Sequence, residues 1–165
     1  MIDDEIKQIF EKAFDFLTKK YQFVVSKSLI ESWGYSFYAK NITTGIKITY
    51  EFREEYILVV IYRLVDGEII GDNEANAIRN NKPIARFGLD WIMKLRDPEL
   101  PLKPTYDYEK KSESLENGNW LENYASFTSA RLQKYASDML QGDFSAFGKL
   151  DDMVKEKYGK YYQEH

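Results

Sequence analysis

Apolar and polar positions alternate over residues 46–52, with Ile46, Ile48, Tyr50 and Phe52 set against Lys47, Thr49 and Glu51. This predicts a β-strand with one buried and one wet face, because successive side chains leave a strand on opposite sides. The next run, residues 56–64, is apolar at nearly every position. It reads as a central strand covered on both sides or partly edged by helices, with Val60 buried. Between the two stand Arg53, Glu54 and Glu55, a three-residue hairpin connection whose charge keeps the tip soluble. Shorter strands are expected at 23–26 and 34–39, with turn residues over 41–45. Asp66-Gly67 marks another turn, and Ile69-Ile70 a short return. The pattern as a whole is an antiparallel meander of about four strands.

A helical period flanks this sheet. Over residues 3–21, Ile6, Phe10, Ala13, Leu17 and Tyr21 form one stripe, widened by Ile9, Phe14 and Phe16. Asp3 or Asp4 suits its start, and Lys19 and Lys20 its end. A short helix is expected at 72–80, capped by Asp72. Another is expected from Pro83 to about Arg96, on a stripe of Ile84, Phe87, Trp91, Ile92 and Leu95. Asp97-Pro98 ends it, and three of the four prolines make residues 97–111 an extended connection. A pair of helices then covers 119–162. Leu121, Tyr124, Leu132, Tyr135 and Met139 face inward on the first; Phe147, Leu150, Val154, Tyr158 and Tyr161 do so on the second. Gly142 and Asp143 supply the corner as C-cap and N-cap. The fold class is therefore α+β: an N-terminal helix, the meander, then helices ending in a C-terminal pair. Such a pair makes a meagre core alone. Residues 1–165 are expected to form a single domain with the pair packed back on the rest.

Composition narrows the chemistry. The 165 residues are 44% hydrophobic and 16% aromatic, too apolar for disorder. Net charge is -4, from 23 basic and 27 acidic residues spread evenly, so no basic arm neutralises phosphates. Non-specific nucleic-acid binding is not expected. The chain has no cysteine, which removes disulfides and thiol catalysis and fits a cytoplasmic location. The acidic start is not expected to act as a signal peptide, and no apolar run approaches a membrane span.

Catalytic equipment is sparse. The one histidine, His165, is the last residue, so histidine-based hydrolytic and metal motifs fail. No phosphate-cradling glycine loop is present, and DNEANAIRNNKP lacks calcium-loop spacing. Asp151-Asp152, Glu54-Glu55 and Asp72 with Glu74 could hold a hard cation if they converged. No cofactor or metal is expected, and the chain reads as a non-enzyme. A metal-dependent enzyme built on scattered carboxylates is the less favoured alternative. Trp33, Tyr35 and Tyr38, and Tyr106 and Tyr108, are aromatic clusters suited to a partner surface.

Three stretches carry a resemblance: EKAFDFLTKKYQF, TTGIKITYEFREEYILVVIYRL and LQKYASDMLQGDFSAFGKLDDMVKEKYGKYY. Together they resemble small bacterial α+β proteins, among them immunity proteins of polymorphic toxin systems. The resemblance implies a protein that binds a cognate toxin domain and blocks it by covering its active site. The alternative is a structural or regulatory protein-interaction domain. The expected partner surface combines the outward row Lys47, Thr49 and Glu51 with the hairpin tip Arg53, Glu54 and Glu55.

Overall fold

The computed structural model describes residues 3–69, 73–100 and 119–164. Ile70, Asp72, Tyr106, Tyr108, His165 and the connection beyond residue 100 lie outside them. The elements in chain order are α1 (Asp3–Ala13), α2 (Phe16–Tyr21), β1 (Val24–Glu31), β2 (Gly34–Lys40), β3 (Thr44–Glu51) and β4 (Tyr56–Arg63). They continue as α3 (Glu74–Arg79), β5 (Arg86–Gly88) and α4 (Leu89–Arg96). The C-terminal pair follows, α5 (Trp120–Leu140) and α6 (Phe147–Glu164). The fold is α+β, and its sheet is a five-stranded antiparallel meander in sequence order.

The N-terminal stripe is two helices rather than one. The hydroxyl of Ser129 on α5 donates to the Ala13 carbonyl at 2.6 Å. Leu17, which would reach that carbonyl in an unbroken helix, donates to Phe14 instead. The break lets Phe14 and Leu17 both reach the interior, at 3% and 2% exposure. Gln22 then takes a left-handed conformation, and the Phe23 N–H returns to the Leu17 carbonyl, closing α2.

Residues after Pro83 do not begin a helix. Residues 86–88 pair with β4, placing buried Phe87 opposite Ile61, and α4 starts only at Leu89. Phe87 is thus held by the sheet, while Trp91, Ile92 and Leu95 belong to the helix. α3 is capped by Asn73, whose side chain accepts from the Asn76 N–H at 2.8 Å.

One face of the sheet carries the core. Ile46, Ile48 and Tyr50 on β3 lie opposite Ile61, Val59 and Ile57 on β4, and opposite Ala39, Phe37 and Tyr35 on β2. α1 sets Phe10 against Tyr35, with ring centroids 5.3 Å apart. α5 brings the Tyr124 hydroxyl to accept from the Ile57 N–H at 3.0 Å. α6 sets Phe147 edge-on to Phe87 at 4.8 Å. One cluster of buried residues runs from Ile6 to Val154 and includes both C-terminal helices.

The opposite face departs from expectation. β4 is not covered on both sides: Leu58 is 40% exposed and Val60 is half-buried. The Tyr62 end is closed, and Ser36 on β2 is buried too. Leu64 and Ile69 fold against Gly45, the cross-strand neighbour of Tyr62, and Arg86 lies over the Tyr62 ring.

Candidate functional site

Because side chains alternate along β3, burying Ile46, Ile48 and Tyr50 turns Lys47, Thr49 and Glu51 to the other face. The expected row therefore exists, and it lies near the middle of the sheet's open side. Lys47 sits between Tyr38 on β2 and Val60 on β4, with its ammonium 5.1 Å from the Tyr38 ring centre. Thr49 sits between Ser36 and Leu58, and Glu51 between Gly34 and Tyr56. The row thus has aromatic and aliphatic neighbours, which supply contact area beside the charge.

The hairpin tip at the end of this row is longer than expected. Glu51 and Tyr56 form the last pair, so the connection is the four residues Phe52, Arg53, Glu54 and Glu55. The Phe52 N–H donates to the Trp33 carbonyl at 2.9 Å, continuing the β2 side of the register by one residue, and the Phe52 ring packs on Tyr50. Glu55 closes the turn with φ at +54°, a left-handed conformation rare for a non-glycine residue. The Glu51 carboxylate accepts from the Glu54 N–H, so Glu51 is also a brace of the turn. Arg53 lies 3.8 Å from the Glu54 carboxylate, with both side chains largely exposed.

The Phe52–Trp33 bond joins this tip to the β1–β2 turn. Gly34 is required at the junction, since a Cβ there would stand 2.3 Å from the Tyr50 carbonyl oxygen. Trp33 is 41% exposed, and its indole N–H donates to the Glu31 carboxylate. One end of the sheet thereby carries Glu31 with Trp33 on one turn and Glu51, Arg53, Glu54 and Glu55 on the other. Beneath it, burial and then the Glu55 and Glu51 carboxylates push the Tyr50 hydroxyl up to about 12, keeping it neutral. Sequence periodicity misses Glu31 and Trp33 as members of this end. Their place depends on two turns meeting, which no local pattern records.

The other candidates separate. Tyr35 belongs to the core at 2% exposure and is not partner surface, whereas Trp33 and Tyr38 face outward. Burial pushes the Tyr35 hydroxyl above its usual range, although Ser28 donates to it at 3.2 Å. Asp151 on α6 accepts from the Ile84 N–H at 2.9 Å and pairs with Lys155 at 2.9 Å, a structural role. Among the described residues no three histidine, aspartate or glutamate side chains are grouped so as to hold a metal ion. Among them, too, no helix is long and apolar enough to cross a membrane. No family model, curated protein or solved structure matches the chain.

Proposed function

We propose that the protein is a non-enzymatic binding protein of the bacterial cytoplasm, an immunity protein that inhibits a toxin by covering its active site. The observation carrying this reading is the open strip of sheet, with Lys47, Thr49, Leu58 and Val60, that ends in the acidic hairpin tip beside half-exposed Trp33. Aromatic side chains are enriched at protein interfaces, and the rim around them is polar. The carboxylates at its end complement a basic active-site rim, as in an enzyme that binds a polyanion. Occlusion needs no chemistry from the inhibitor, only a folded surface that fits.

The test is co-expression with the product of the adjacent gene. Growth arrest by that product, relieved by this chain through a stable complex, is the expected result. Absence of both relief and complex would remove the toxin reading. A second measurement locates the surface. The triple variant Glu51→Gln, Glu54→Gln, Glu55→Asn keeps an acceptor for the Glu54 N–H and tolerates the left-handed turn position. It is expected to melt within a few degrees of the native chain. Its association with the toxin domain should slow about tenfold or more at low salt, with a smaller loss at high salt. Unaltered association by the folded variant would leave the tip a solvated turn.

A further inference from the structure

The sheet has two dissimilar edges. β5 is three residues long and continues directly into α4, whereas β1 is eight residues long with six of them exposed. Among the described residues β1 pairs only with β2, so its other side offers backbone N–H and C=O groups. Such an edge is a template for another strand unless proline, charge or irregularity blunts it. A bulge between Val25 and Lys27 disturbs its first part, but pairing is regular from Lys27 to Glu31. Along that stretch Lys27, Leu29 and Glu31 share the open face, opposite Tyr38, Ser36 and Gly34.

We propose that β1 pairs antiparallel with β1 of a second copy of the chain, about a two-fold axis at Leu29. The occupant follows from charge. In this register Leu29 meets Leu29 of the second copy, and Lys27 meets Glu31 once on each side of the axis. Among registers centred on residues 27–31, this alone sets Lys27 against Glu31. Centring on Lys27 or on Glu31 would place like charges face to face at the axis, which is unfavourable. A shift by one residue would put side chains on the wrong face. The two sheets then join into one, and Leu29 of each copy is covered by its counterpart. The pairing is independent of any toxin, and it extends the open face across both copies.

Five paired residues make a small interface, so the association is weak and concentration-dependent. Sedimentation velocity from about 1 µM to about 1 mM, at low salt, is the direct measurement. A reversible dimer is expected, with slowed amide exchange confined to β1. Lys27→Glu alone and Glu31→Lys alone each replace both opposite-charge pairs by like-charge pairs. Each is expected to weaken the dimer by roughly tenfold or more. An equimolar mixture of the two single variants restores opposite charges at both pairs and should form a mixed dimer. Circular dichroism checks that each variant is folded. A native chain monomeric throughout the range would overturn the proposal, as would a dimer indifferent to both reversals. So would a chain that stays monomeric alone and uses this edge only for a strand of the toxin domain.

Discussion

Single side chains tie distant parts of this chain together, and Asn41 is the clearest. Its Nδ2 donates to the carbonyls of Tyr21 and Leu140, both at 3.0 Å, while its Oδ1 accepts from the N–H groups of Thr43 and Thr44. It therefore closes a turn and satisfies the C-terminal ends of α2 and α5 at once. Asn41→Ala is expected to cost roughly 2–4 kcal/mol, since four partners lose their bond in a half-buried place. Asn41→Asp keeps the acceptors but sets a negative charge against two helix C-termini, so it should also destabilise. Urea denaturation of both variants measures this, and a native-like midpoint for either would contradict the account. Glu74 shows the opposite balance. Burial raises its carboxyl above the usual 4.5, with Arg86 opposing the shift only in part. Folded protein thus holds this proton to higher pH than unfolded chain does. The cost of burying the charge is complete above the raised value and absent below 4.5. Glu74→Gln should then stabilise the fold near pH 7, and the advantage should vanish by about pH 4. A loss for Glu74→Gln near pH 7 that fades by about pH 4 would show instead that the ionised carboxylate helps the fold.

At the scale of elements, the two strands of the central hairpin differ in how they announce themselves. β3 alternates in its residues as it does in its burial, so its core row and its candidate row are both legible. β4 places apolar residues on its wet face as well, and the run Tyr56–Arg63 hides which side is covered. Its partners decide: Val59 and Ile61 face Ile48 and Ile46 in the core, while Val60 faces Lys47 and Gly88 on the open side. Val59→Asp is expected to abolish cooperative folding, because Val59 is 1% exposed and an unpaired charge there has no access to water. Val60→Asp keeps its carboxylate near water and near Lys47, and should remain folded with a lowered melting temperature. Thermal melts of the pair separate the faces; loss of folding in both would mean that β4 is covered on both sides after all. Other elements were illegible for different physical reasons. β5 is too short for any period to show. The division of the first stripe into α1 and α2 depends on a hydroxyl at Ser129, 116 positions away. In the candidate site, the row Lys47, Thr49 and Glu51 follows from alternation. The contribution of Glu31 and Trp33 needs the backbone bond between two separate turns.

At the scale of the molecule, a sheet with one open face depends on what covers the other. α5 and α6 supply Trp120, Leu121, Tyr124, Leu132, Tyr135, Met139, Leu140, Phe147, Leu150 and Val154 to the buried cluster. Each large apolar side chain contributes about 1.5–3 kcal/mol on burial, so losing this set far exceeds the roughly 5–15 kcal/mol of net stability usual for a domain. Polar ties lie along the same seam. Thr44 donates to the Met139 carbonyl at 2.6 Å, the Ile57 N–H to Tyr124, and the Arg96 guanidinium meets Asp138 through two bonds of 2.9 and 2.6 Å. A chain of residues 1–100 alone is therefore expected to show no cooperative unfolding and to aggregate through the exposed face of Ile46, Ile48, Val59 and Ile61. Residues 119–165, supplied as a separate chain by co-expression, carry every one of these contacts and should restore a soluble, cooperatively melting complex. If residues 1–100 melted cooperatively without them, the helix pair would be an appendage to a sheet already stable, and the open face would no longer be the only uncovered one.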